Sequence, residues 1–164
     1  MSNNIDFTSA IKEGLRLGQE RLKAKDRINE ILAIFAGELQ TIITEKNEKP
    51  IHVQKKHIIH HKKLSGLAAL TMAAKFDEPP IEEEFDAVCF FDESTINTPL
   101  VVFRYEIDPV KGFPCMIQYD NQSLACKDET ALVETIKEAI KYKGLAISEK
   151  VRELMNNSNK KEKQ

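Results

Sequence analysis

Apolar side chains recur at helical spacing through the first 43 residues, in two stretches. From Ile28 onward they fall three or four residues apart, which predicts an amphipathic helix. A weaker stripe precedes Ile28, and the polar segment "KAKDR" between the two stretches shifts the apolar phase. Two interpretations stay open: one helix over residues 7–43, about 55 Å long at 1.5 Å per residue, or two helices broken near Lys25 and Asp26.

A single helix of this length would overhang a small domain, and its exposed half would need a partner. The simplest partner is the same helix of a second copy, which predicts a homodimer through a coiled-coil-like contact. Gly14 and Gly18 lie four residues apart, and they either permit close helix approach or only weaken the helix. The residues predicted to form this dimer helix are Ile11, Leu15, Gly18, Leu22 and Ile28.

The helical spacing of the apolar residues ends at the polar linker 44–50. Runs rich in β-branched and aromatic residues predict strands, and the pair Asp120-Asn121 predicts a hairpin turn. Residues 64–76 fit a helix and a strand equally well. The predicted strands are 51–60, 85–93, 100–107, 115–119 and 123–127.

Two helices are predicted after the strands. Asp128 is a good N-cap for a helix over residues 129–142, and Lys143-Gly144 is a typical stop signal. Ser148 would then cap a short final helix.

The predicted fold class is α+β, because successive strands joined by short turns form an antiparallel sheet that helices cover. It comprises a long N-terminal helix or helix pair, a mainly antiparallel meander of about four to six strands, and two C-terminal helices. The expected domain organisation is a helical arm with a possible dimerisation role (1–46), an α+β domain (50–156) and a disordered tail (157–164).

Composition narrows the class of protein. The chain has 164 residues, 41% of them hydrophobic and 30% charged, which is typical of one folded domain. A net charge of −2 is too small to indicate a general nucleic-acid binder. No secretory signal and no apolar run long enough for a membrane span is visible, and three cysteines without short spacing indicate reduced thiols. We therefore expect a cytoplasmic protein without membrane association.

The segment "KKHIIHHKK" is the most unusual stretch of the chain. As a strand it places His57 and His61 on one face about 13 Å apart, too far to clamp one ion. On a helix the histidines would share a face, but no acidic residue lies between positions 49 and 76 to complete a site. We predict neither a metal site nor a cofactor. The residues proposed for partner or phosphate contact are Lys55, Lys56, His57, His60, His61, Lys62 and Lys63.

An acidic block follows this basic block directly. Residues 49–76 contain six lysines and no acid, whereas residues 77–93 contain eight acids and no base. The two blocks are expected to attract each other across neighbouring strands or across a subunit interface. The residues proposed for the acidic partner surface are Glu82, Glu83, Glu84, Asp92 and Glu93.

Catalytic chemistry has little support in the sequence. Asp86, Asp92 and Glu106 could offer carboxylates to Mg²⁺ as in a nuclease core, but the lysine that such a core places beside its second acid is missing. We predict no catalytic residues. Residues 108–140 resemble a hairpin-plus-helix pattern of small bacterial proteins, and this resemblance implies no activity.

Three functions are considered. The leading hypothesis is a non-enzymatic protein-interaction module (an adaptor, regulator or immunity-like inhibitor) that works through a charge-segregated surface. The alternatives are a nucleic-acid-associated accessory factor, which would contact phosphates through residues 55–63, and a metal-dependent nuclease-like enzyme.

Overall fold

The computed structural model describes residues 7–45, 51–61, 81–93 and 95–161. Whether residues 64–76 form a helix or a strand lies outside these ranges. The elements are α1 (Thr8–Thr44), β1 (His52–His61), β2 (Ile81–Phe91), β3 (Leu100–Asp108), β4 (Gly112–Tyr119), β5 (Gln122–Cys126) and α2 (Glu129–Lys161).

The strands form one antiparallel meander in the order β1-β2-β3-β4-β5. Among the described residues this is the predicted α+β fold, with five strands inside the predicted range. The β4–β5 hairpin turns at Asp120-Asn121 as expected, because Tyr119 pairs with Gln122 and Asp120 adopts a φ of 53°.

The N-terminal helix is continuous. α1 spans 37 residues without a break at Lys25-Asp26, so the single-helix interpretation is confirmed. Its C-terminal part packs across β1 and β4, and Ile28 and Leu32 are completely buried there.

The prediction of two C-terminal helices is wrong. Asp128 caps α2 as predicted, with its Oδ1 accepting a hydrogen bond from the Ala131 N–H at 2.9 Å. The helix then continues through Gly144 and Ser148, because a glycine stops a helix only when it adopts a left-handed conformation and Gly144 has no positive φ. Ile147, beyond the expected stop, is buried in the core and holds the helix against the sheet.

Both helices cover the same face of the sheet. α2 packs on β3, β4 and β5, beside α1. The core between sheet and helices includes Ile28, Leu32, Val88, Phe90, Val102, Phe103, Cys115, Ile117, Leu132 and Ile136. A smaller apolar cluster of Ala87, Cys89 and Phe91 lies on the opposite face.

Candidate functional site

The described parts of the basic and acidic blocks, in β1 and β2, lie side by side. β1 pairs with β2 in a register that sets His57 opposite Asp86 and His60 opposite Glu83. Directly opposed residues of an antiparallel pair project from the same face and lie within contact distance. The two charged segments are therefore neighbours within one chain.

A histidine of β1 contacts two carboxylates of β2. The Nδ1 of His57 lies 2.8 Å from Asp86 Oδ1, and its Nε2 lies 3.9 Å from Glu84 Oε2. All three side chains are about half exposed, so solvent screens the interaction and it adds little stability.

The two described lysines of β1, Lys55 and Lys56, donate to groups other than the carboxylates of β2. The Nζ of Lys55 donates to Asn29 Oδ1 of α1 at 3.0 Å, because Lys55 projects from the helix-covered face. Lys56 projects from the other face, donates to the carbonyl oxygen of Ile96 at 3.1 Å, and lies 3.9 Å above the Phe91 ring. Lys62 and Lys63 lie outside the described residues.

The structure places the five acidic residues proposed as a partner surface at two opposite ends of β2. Glu83 pairs with Arg104 of β3, and Glu84 pairs with His57. Asp92 follows the other end of β2, about 25 Å from Glu84 at 3.3 Å per residue. There its Oδ1 accepts a hydrogen bond from the Thr95 N–H at 2.9 Å. Glu82 and Glu93 are exposed at these two opposite ends.

The histidines and carboxylates do not converge on one point. His60 projects from the opposite face to His57 and contacts the Phe85 ring edge-on at 5.5 Å. Asp86 is opposite Tyr105, so Glu106 lies on the other face of the sheet. Within the described ranges, no group of three His, Cys, Asp or Glu side chains is placed to hold a metal ion.

All three cysteines are buried as free thiols. Burial raises the pKa of Cys89 to about 11 and that of Cys115 to about 12, and it also raises the pKa of Cys126. A thiol that keeps its proton is a poor nucleophile. These side chains therefore serve packing.

The N-terminal half of α1 extends beyond the sheet. Every residue of the segment 8–23, here called the overhang, is exposed except Gly18, which is half-buried. Contacts that anchor the helix occur at Ala24 and Lys25, where the Lys25 Nζ donates to the carbonyl oxygen of Pro109 and Ala24 packs against Gly112.

The overhang, together with Phe7 directly before it, carries a row of large exposed apolar side chains. Phe7, Ile11, Leu15 and Leu22, here called the apolar stripe, are 64%, 59%, 65% and 61% exposed. At 3.6 residues per turn they fall within an arc of about 80° on the helix surface. Of the predicted dimer residues, Ile28 lies in the hydrophobic core of the chain instead, with 0% exposure.

The apolar stripe is not a continuation of the buried face of α1. At 100° per residue its mean direction is rotated by about 80° from that of the buried residues Ile28 to Ile43. The polar segment at residues 23–27 therefore separates two faces of one helix. The phase shift seen in the sequence reflects this rotation.

Two glycines and a turn residue make the surface beside the stripe concave. A Cβ added at Gly14 or Gly18 would meet nothing within 4 Å. A groove of about 390 Å³ is lined by these glycines, Leu15 and Leu22, together with Val110 of the β3–β4 turn. Sequence periodicity could place Phe7 on this face, but no sequence signal connects Val110 to it.

Comparisons with known proteins return no match: neither a family model, nor a curated protein, nor a solved structure is similar to this chain. Neither described helix is both long and apolar enough to span a membrane. The candidate function therefore rests on the geometry of the apolar stripe.

Proposed function

We propose that this protein is a non-enzymatic protein-interaction module whose docking element is the overhang of α1. The observation that carries the proposal is the apolar stripe, which presents four large side chains to solvent on a helix anchored to a folded sheet. Contiguous exposed apolar surface of this kind is typical of an interaction site, since its burial releases water. An adaptor, regulator or inhibitor would use such a surface.

The charged side chains of β1 and β2 support a smaller role in binding than the sequence predicts. Their groups are engaged inside the chain, through His57 with Asp86 and through Lys55 with Asn29. The alternative function, contact with nucleic-acid phosphates, depends on free ammonium groups in residues 55–63. Lys55 and Lys56 both hold intramolecular hydrogen bonds, and acids line the neighbouring strand.

The experiment compares the full chain with a variant that carries Ile11→Ser and Leu22→Ser. Two readouts are needed: the molar mass of the purified chain, and the proteins retained by the immobilised chain from extracts of its native cells. We expect the variant to keep its far-UV circular dichroism spectrum and melting temperature while it loses association in at least one readout.

A matched control variant tests whether the location of the exposed apolar side chains matters, and not only their number. Ile34 and Ile42 are also exposed on α1 but lie outside the apolar stripe, so Ile34→Ser with Ile42→Ser removes similar apolar surface elsewhere. The control should behave as the original chain does. Identical behaviour of the stripe variant and the original chain in both readouts would contradict the proposal.

A further inference from the structure

The geometry points to a second copy of this chain as the occupant of the apolar stripe, bound antiparallel with its large side chains in the partner's glycine notches. This inference rests on the proposed function and names the partner. Its basis is the order of large and small residues on the overhang together with the length of that segment.

Large and small positions are complementary when the helix is reversed. If Gly14 of one copy lies opposite Leu15 of the other, Ile11 lies opposite Gly18. Each glycine leaves open space where a side chain would be, and the opposing Leu or Ile fills it. The two-fold axis makes every such contact occur twice.

The ends of the overhang match in the same arrangement. Phe7 of one copy reaches Leu22 of the other, and Val110 of that other copy is itself exposed and lines the same groove as Leu22. The next residues, Ala24 and Lys25, are anchored to the β3–β4 turn. Each overhang therefore ends where the other copy's folded body begins, so the two bodies lie at opposite ends of the helix pair.

The charged side chains of the overhang leave the apolar stripe clear. Lys12 and Lys23 flank one side of the stripe, and Arg21 flanks the other. The ion pairs of Arg16 with Glu13 and Glu20, at 2.6 and 2.5 Å, lie on the opposite side of the helix and stay in solvent.

The area matches the lower limit for a specific contact. The stripe and Val110 expose roughly 500 Å² of apolar surface in each copy, which is the size of the largest, often functional patch on a monomer. Complete burial of these side chains in two copies would remove about 1,000 Å² from water, the lower bound for a biological interface.

Gly18→Leu tests the notch directly. The substitution adds apolar surface and improves helix propensity, so it would strengthen association with a lipid surface or with a flat partner. In the antiparallel pair the new Leu collides with Ile11 of the other copy, and we expect the dimer dissociation constant to rise at least tenfold. An unchanged or lower dissociation constant would overturn the inference.

Engineered cysteines test the direction. All three natural cysteines are buried, so the double variant Phe7→Cys with Leu22→Cys should oxidise to a covalent dimer joined between positions 7 and 22. Each single variant should stay mostly unlinked. Efficient linkage of the single variants would show a parallel pair and overturn the inference.

Two further outcomes separate this inference from the proposed function. A monomeric chain that captures a different protein through the stripe would refute the second copy while the proposed function stands. A monomeric chain that captures no protein and binds phosphatidylserine vesicles through Ile11 and Leu22 would refute both.

Discussion

Gly112 packs against Ala24 so closely that a Cβ added at position 112 would lie 3.0 Å from the Ala24 Cβ. Gly112 also adopts a φ of +85°, a conformation that glycine tolerates and other residues rarely adopt. This contact joins the β3–β4 turn to α1 at the position where the overhang ends. It fixes the direction in which the apolar stripe leaves the domain.

Substitution of Gly112 should destabilise the fold. We expect Gly112→Ala to lower the free energy of unfolding by roughly 1–2 kcal/mol for the left-handed backbone alone, and by more through the collision with Ala24. Urea unfolding followed by circular dichroism measures the change. Gly37→Ala is the matched control, since Gly37 lies inside α1 with nothing within 4 Å of an added Cβ. The control should be as stable as the original chain or more so, and equal losses in both variants would refute this account of the contact.

Gly144→Ala tests the continuity of α2. Gly144 is inside the helix and has open space around it, so alanine should raise the free energy of unfolding by about 0.5–1 kcal/mol through the lower entropy of the unfolded chain. A helix that stopped at Gly144 in a left-handed conformation would instead be destabilised by alanine. Thermal melting of the two proteins distinguishes these results.

The buried thiols predict a loss of stability at high pH. Cys115 keeps its proton in the folded chain because burial raises its pKa to about 12, whereas an unfolded cysteine ionises near pH 8.5. Below that pH the Cys115 thiol keeps its proton in the folded and the unfolded state, and the stability that depends on this protonation is fully present. As pH rises from about 9 towards 12 the unfolded state releases the proton first, so the free energy of unfolding falls.

Urea titrations between pH 8 and 10.5 check this slope, and Cys115→Ala should reduce it without abolishing it, because burial also raises the pKa of Cys89 and of Cys126. At pH 8 a thiol reagent such as dithionitrobenzoate should react with the three cysteines only after denaturant is added. Rapid reaction of the folded chain would show that the thiols are accessible.

The charged strands predict weak or no binding to nucleic acid. Because Lys55 and Lys56 are engaged within the chain, we expect no dissociation constant below about 100 µM for single-stranded RNA or duplex DNA at 50 mM salt. Fluorescence anisotropy measures this binding. Tight binding that falls steeply with salt, and falls further in Lys55→Glu with Lys56→Glu, would instead support the nucleic-acid alternative.

Local patterns were sufficient to predict most of the fold. The hydrophobic period, the turn residues and the capping residues predicted the long helix, the strands and the β4–β5 hairpin. These elements were predictable because each depends on residues close together in the sequence. The error at Gly144 has a different origin. A glycine ends a helix only if its backbone adopts a left-handed conformation, and Gly144 does not adopt one. The burial of Ile147 in the core stabilises the continued helix instead.

The candidate site was predictable only in part. The stripe residues Ile11, Leu15 and Leu22 follow from helical spacing, but the burial of Ile28 depends on where the sheet begins along the helix. Charge composition predicted that the basic and acidic segments attract each other, yet Lys55 and Lys56 donate to Asn29 and Ile96 rather than to carboxylates. Those partners are distant in sequence and belong to no repeating pattern.

The molar mass of the purified full chain tests the central claim most directly. Light scattering across a range of concentrations should give twice the 18.7 kDa of one chain at high concentration, and 18.7 kDa when Ile11→Ser and Leu22→Ser are introduced. A mass of 18.7 kDa for the unaltered chain at every concentration, together with the absence of any protein captured through the apolar stripe, would contradict the account.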